Sequence, residues 1–365
     1  MKIKKIEPLA VSLPMTRPLK MGGVLFDKSD NVFVRIETDS GHVGWGEASA
    51  APSMTGETCE SMVAAVRYLT PWLTGCDPHD FSGNLSIMER RMYGNTSAKT
   101  VIEMALYDIV GKAEGKSVAE LLGTIRRREM PVLWMLATGT RDVDVPEAQV
   151  KFQQGFQAFK IKVGGNAPAV DIERTVEIRE HVNGAQVSAD ANQGWTVDMG
   201  LEYVAGASQA LDFFEQPVGG ADVEGMARIA AASKCPIGAD EGLHSLHDIR
   251  RHKEMGAAQG GSLKMIKLGG VTRAYEAAVL CAELDMNVNL AGKVSESSVS
   301  SACVLNLAAA VPQNNWGLSI TTQYLSSDVV RNPVVIRDGM GMLPAGPGLG
   351  VDVDEDALQR FAIPA

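Results

Sequence analysis

Apolar and polar residues alternate in the opening of the chain, through NVFVRIETDSGHVGWGEA (residues 31–48). A period of two sends every second side chain to one face of a β-strand. The polar cluster Asp39-Ser40-Gly41 interrupts the alternation where a hairpin would turn, so an antiparallel meander is expected. From Glu57 to about Leu122 apolar positions recur at three and four, as in TVIEMALYDIVGKAEG (100–115), which predicts helices. Residues 1–125 therefore read as an α+β unit.

From Pro131 onward the pattern changes again, to short apolar runs at regular intervals. They are VLWMLATG (132–139), FKIKVG (159–164), VSAD (187–190), LDFFEQP (211–217), IGAD (237–240), GSLKM (261–265), VNL (288–290) and GLS (317–319). About 25 residues is what one strand and its covering helix consume, so residues 126–328 are expected to form a (β/α)8-type barrel, an α/β fold. With FKIKVG taken as the second strand, GSLKM is taken as the seventh and VNL as the eighth. Beyond Asp328 the short segments PVVIRDGM and PAGPGLGVDVD cannot extend a closed barrel. Residues 329–365 are expected to pack back on the first unit and complete it as a capping domain.

Lys162, Asp190, Glu215, Asp240 and Lys264 are spaced 28, 25, 25 and 24 residues apart, and each ends one of these runs or lies within its last residues. In a barrel the C-terminal ends of all strands meet at one face, so the five converge. Asp190, Glu215 and Asp240 are hard oxygen donors with no His or Cys beside them, a set that suits Mg2+, with Mn2+ able to replace it, rather than zinc. The bland reading of each, a strand-end acid paired with a local base, does not account for three in register between two lysines. A lysine near another cation or partly desolvated has its pKa lowered and can act as a base. Lys162 and Lys264, on opposite sides of the metal strands, can then remove and return a proton at an α-carbon from either face. Lys160, two residues before Lys162, points to the same side, where it can lower the pKa of Lys162 and reach a substrate carboxylate. Lys267, three residues after Lys264, is the competing candidate for the base on that strand; Lys264 is preferred because Lys267 faces away if the strand continues. Glu296, in AGKVSESS (291–298), is a candidate substrate contact, with a plain helix N-terminal glutamate as the competing reading.

Composition narrows the partners. A formal net charge of −10 without a clustered basic surface argues against nucleic acid. No apolar run reaches the length of a membrane span, and the first residues lack a signal-peptide core, so a cytoplasmic protein is expected. Five scattered cysteines without a CxxC pair read as reduced thiols. His244 and His247, three apart beyond Asp240, read as solvated side chains.

The segments FKIKVG with its Lys-x-Lys pair, DANQGW (190–195), EQP (215–217), ADE (239–241) and LKMIKLGG (263–270) resemble the enolase superfamily, and within it the muconate lactonizing enzyme subgroup, over essentially the full length. The resemblance implies an enolase-like barrel with a capping domain, Asp190, Glu215 and Asp240 as Mg2+ ligands, Lys162 and Lys264 as the acid/base pair, and Asn192 of DANQGW beside the substrate. It also implies a small carboxylate substrate, a metal-stabilised enediolate and a homo-oligomer. Subgroup members include cycloisomerases, racemases and epimerases, with β-elimination by o-succinylbenzoate synthases as an alternative. A non-catalytic carboxylate-binding barrel is the rival of another class. GKVSESS (292–298) stands where cycloisomerases carry an apolar GTMLEGS-like stretch, and the paired aspartates of dipeptide epimerases are absent after Leu290. Specificity is expected from residues 18–30, residues 48–56 and the eighth strand.

Overall fold

The computed structural model describes residues 1–21, 24–294 and 296–364. The alternating segment forms an antiparallel sheet of β1 (Ile3–Met21), β2 (Val24–Thr38) and β3 (Val43–Ser49), in that order. Ala10, Val32 and Ala48 lie abreast on it. The turn falls at Asp39-Ser40-Gly41, where Gly41 takes φ of +83° and its amide donates to the Thr38 carbonyl at 3.1 Å. Helices α1 (Cys59–Leu73), α2 (Phe81–Arg91), α3 (Thr96–Glu114) and α4 (Val118–Leu122) follow. Gly44 and Gly46, two apart on β3, let α3 rest on the strand: a Cβ there would stand 2.3 Å from the Ala105 carbonyl oxygen and 2.0 Å from that of Val101.

The strand β4 (Glu129–Pro131) precedes eight parallel strands, β5 (Trp134–Leu136), β6 (Ala158–Lys162), β7 (Gln186–Asp190), β8 (Phe213–Glu215), β9 (Ile237–Ala239), β10 (Gly260–Leu263), β11 (Asn287–Ala291) and β12 (Leu318–Ser319). They neighbour one another in chain order, and the Leu133 amide donates to the Leu318 carbonyl at 2.8 Å, closing the ring. Helices α5 (Arg141–Gln153), α6 (Pro168–His181), α7 (Val197–Ala207), α8 (Val223–Ala232), α9 (Leu246–Glu254), the short α10 (Met265–Leu268), α11 (Val271–Glu283) and α12 (Ser298–Ala310) cover it. The GSLKM run is therefore the sixth barrel strand and VNL the seventh, which corrects the expected seventh and eighth places. Only VSAD, LDFFEQP and IGAD stand between FKIKVG and GSLKM, so the ring reaches GSLKM at six; β4 stays outside it, paired antiparallel with β14.

Beyond the barrel, β13 (Ile336–Arg337) and β14 (Met340–Met342) pair with each other, and β14 with β4. The tail then reaches the first unit: the Leu349 amide donates to Asp108 Oδ1 at 2.9 Å, and the Ser12 amide to the Phe361 carbonyl at 2.9 Å just after α13 (Glu355–Arg360). Among the described residues no helix is long and apolar enough to cross a membrane.

Two buried carboxylates of the capping unit sit on the N-termini of barrel helices, where unpaired amides attract negative charge. Glu103 on α3 accepts from the Thr272 hydroxyl at 2.6 Å and its amide at 3.2 Å, at the start of α11. Glu47 on β3 accepts from the amides of Ser297 (2.8 Å) and Ser300 (2.9 Å), the Ser297 hydroxyl (2.6 Å) and the Asn31 side chain (2.9 Å), at the start of α12. Glu47→Gln keeps the shape but turns a donor toward other donors. It is expected to lower the unfolding free energy by about 1–3 kcal/mol, measured by urea titration. Unchanged stability would show that Glu47 does not fasten the two units.

Candidate active site

Asp190 and Glu215 are the last residues of β7 and β8 and lie opposite each other in register, while Asp240 follows β9 directly. One carboxylate oxygen from each lies within 4.8 Å of the others. All three side chains are buried. Such a group repels itself and loses hydration, and the chain offsets this with lysines. Lys160 Nζ donates to Glu215 Oε2 at 2.6 Å and Lys162 Nζ to Asp190 Oδ2 at 2.6 Å. Lys264 and Lys267 both bond Asp240, the latter at Oδ1, 2.6 Å away. Burial alone would raise the pKa of Asp240, but Lys264 and Lys267 reverse that and hold it well below the usual carboxylate range. For Glu215 burial prevails over Lys160, with Asp190 and Asp240 adding repulsion, and the pKa is raised. Its Oε1 is buried without a hydrogen-bond partner, on a carboxylate of the converging group of three.

Along β6, Lys160 and Lys162 point into the barrel and the buried Ile161 between them points outward, as the period of two requires. Burial opposes the charge on Lys160, yet Glu215 and Asp190 outweigh it and raise its pKa. Lys162 Nζ also donates to Asn192 Oδ1 at 2.8 Å, and Asn192 Nδ2 to Glu241 Oε1 at 3.0 Å. Asn192 and Gln193 both take positive φ (43° and 67°), so the chain turns sharply after β7 and brings Asn192 back over the cavity.

Lys264 stands across the barrel mouth, since the second and sixth strands of an eight-membered ring oppose one another. Lys267 does not face away, contrary to expectation. The strand stops at Leu263, Lys264 caps α10, and residues three apart on a helix share a face, so Lys267 swings back onto Asp240. It is fully buried, bonds the Asp240 and Ser262 carbonyls as well, and does not line the cavity. Lys267→Met is expected to cost about 3–5 kcal/mol of stability, as removing one partner of a buried pair does. Urea unfolding would expose a merely solvated role by a loss near zero.

The cavity in front of the triad has an open space of about 930 Å³. One side carries Lys160, Lys162, Asp190, Asn192, Glu241 and Lys264, the other Leu133, Met135, Lys293, Val294 and Ile320. Glu241 has its pKa raised to about 7 by burial and then by Asp240 and Asp190. Ser53 and Met54 bring residues 48–56 to the rim; of residues 18–30, Gly22 and Gly23 lie outside the described residues. Glu296 is not brought to the cavity. It is buried behind it, accepting from the Ser300 hydroxyl at 2.7 Å, because α12 begins two residues later and draws it toward the helix start. Lys293 and Glu241 were given no role from sequence, although both stand in the quoted AGKVSESS and ADE segments.

Residues 5–123 match the model of the mandelate racemase / muconate lactonizing enzyme N-terminal domain, and residues 145–357 that of the enolase C-terminal domain-like family. The chain is 31% identical over 369 residues to a chloromuconate cycloisomerase of Cupriavidus necator, covering 99% of each. It is 30% identical over 376 residues to an N-succinyl-L-Arg/Lys racemase of Bacillus cereus, covering 100% of this chain and 98% of the other. The crystal structure of muconate lactonizing enzyme from Pseudomonas fluorescens, complexed with muconolactone, superposes with a TM-score of 0.95 at 28% identity and 99% coverage of both chains.

Proposed function

Because this chain belongs to the mandelate racemase/muconate lactonizing enzyme family, with its enolase-like barrel, we propose that it is an isomerase that moves the α-proton of a small carboxylate. In this reading residues 126–328 are the catalytic unit, and residues 1–125 with 329–365 are its cap. The observation that carries it is the placing of two ammonium groups, Lys162 and Lys264, on either side of three buried carboxylates.

The three residues fit a divalent cation. Their oxygens converge, no softer donor stands among them, and the unpartnered Glu215 Oε1 lacks a ligand it would gain. Asp190, Glu215 and Asp240 would hold Mg2+ or Mn2+. When bound, such an ion supplies positive charge that stabilises the charge a substrate carboxylate gains as its α-proton leaves.

The rest falls to the chain's own side chains. In its neutral form, the lysine on one side takes the α-proton at Nζ, and the lysine on the other delivers a proton to the opposite face. Lys160 remains charged beside Glu215 and attracts the substrate carboxylate. Asn192 holds Lys162 Nζ in place, and Leu133, Met135 and Ile320 keep bulk water from the opposite side. Racemisation or epimerisation uses both lysines; cycloisomerisation needs one.

The test is deuterium uptake at the α-carbon in heavy water, followed by NMR, across N-acyl amino acids, dipeptides, muconates and hydroxy acids with Mg2+ present. Exchange in at least one class is expected. No exchange in any class by folded, Mg2+-loaded protein would favour a barrel that only binds carboxylates.

A further inference from the structure

Asp190 and Glu215 are held in the ladder of β7 and β8, but Asp240 is not: β9 ends at Ala239, and its pairing with both neighbouring strands stops at Gly238 and Ala239. A side chain takes over where the ladder stops. The Asp240 amide donates to Gln216 Oε1 at 2.8 Å, and the Gly242 amide donates to the same oxygen at 3.1 Å. On its other side Gln216 Nε2 donates to the Val218 carbonyl at 2.8 Å. Two amides facing the oxygen and a carbonyl facing the nitrogen admit only one orientation of this carboxamide.

The backbone of Gln216 joins the same strand ends. Its amide donates to the Gly238 carbonyl at 2.9 Å, and its carbonyl accepts from the Gln193 amide at 2.9 Å in the turn that follows Asp190. Glu215 is its neighbour in the chain. One residue therefore bonds the backbone beside each of the three carboxylates. It does so at φ of +38°, a left-handed conformation that glycine takes at less cost and that a residue with a side chain keeps only where its surroundings impose it. The side chain is fully buried and does not line the cavity, so its work is done through the backbone it holds.

We infer that Gln216 is a positioning residue of the cation site, whose carboxamide sets Asp240 against Glu215 by holding the Asp240 amide. The inference rests on the proposed function, because it takes the triad to hold Mg2+. Lys264 and Lys267 bond the Asp240 side chain from the far side, whereas Gln216 ties its amide to the strand that carries Glu215. Mg2+ demands near-ideal octahedral geometry and tolerates little slack in its donors, while Ca2+ accepts a looser shell. A slackened Asp240 therefore costs Mg2+ more than Ca2+.

The experiment is calorimetric titration of the full chain, freed of metal, with Mg2+ alone and with Ca2+ alone. Gln216→Leu keeps bulk and removes the acceptor; Gln216→Gly removes the side chain and relieves the left-handed turn, so it serves should the first variant not fold. Both are expected to bind Mg2+ about tenfold to a hundredfold more weakly, with a smaller loss for Ca2+. Glu47→Gln, weakened at the seam with the cap, should keep the wild-type affinity, and thermal melts confirm that folded protein is titrated. Wild-type Mg2+ affinity in the Gln216 variants, an equal loss for both cations, or the same loss in Glu47→Gln overturns the inference. If Glu215→Gln weakens Mg2+ binding and the Gln216 variants do not, only the Gln216 role fails. If the wild-type chain binds no Mg2+, the reading of the triad fails and takes this inference with it.

Discussion

Lys264→Ala should stop α-proton exchange from one enantiomer of a racemisable substrate, by about a thousandfold or more, while Lys162→Ala stops it from the other. The asymmetry follows from where the two side chains stand. Lys162 ends the second strand, Lys264 follows the sixth, and a planar α-carbon between them shows one face to each. Each variant leaves the carboxylate concerned a hydrogen-bond donor. Without Lys264, Asp240 still has Lys267 at 2.6 Å; without Lys162, Asp190 Oδ1 still accepts from the Asn192 amide at 2.9 Å. A lost rate therefore reports a lost acid/base group, and circular dichroism of the variants checks it. Loss with both enantiomers in only one variant would identify a one-base enzyme, as cycloisomerisation needs. Full exchange in both variants would remove the lysines from the mechanism.

Glu215→Gln should weaken Mg2+ binding by about a hundredfold or more, and activity should fall at least in proportion. Glu215 is the middle carboxylate, Lys160 neutralises its Oε2, and its Oε1 is the buried acceptor without a partner. The amide preserves volume but removes one negative charge and turns a donor toward the cation or toward Lys160. Calorimetric Mg2+ titration reads the affinity independently of turnover. Chelation of the wild-type protein should abolish activity, and added Mg2+ or Mn2+ should restore it. Full activity in protein verified free of metal would sink the assignment of the triad.

The legible part of the site was the part carried by local pattern. VSAD, LDFFEQ and IGAD each announce a strand whose last or next residue is an acid, and a period of two puts Lys160 and Lys162 on one side wherever FKIK folds as a strand. Glu47 gave no such signal. Its partners, Ser297 and Ser300, lie some 250 residues away in sequence, and no local spacing marks a carboxylate that caps another unit's helix.

Local pattern carried the barrel class, the antiparallel opening and the convergence of Asp190, Glu215 and Asp240, because regularly spaced apolar runs favour parallel strands whose ends meet at one face; it left Lys264 and Lys267 both open. Tertiary structure decided the rest. It set β4 outside the ring, paired with β14, and closed the barrel between β12 and the residues just before β5. It turned Lys267 onto Asp240, because the chain becomes helical after Lys264 rather than continuing extended. It drew Glu296 behind the cavity while leaving Lys293 on its wall. Strand direction follows from the nearest neighbours along the chain, whereas the ends of elements and the loops beyond them are set by contacts between residues far apart in sequence, which compete with local preference.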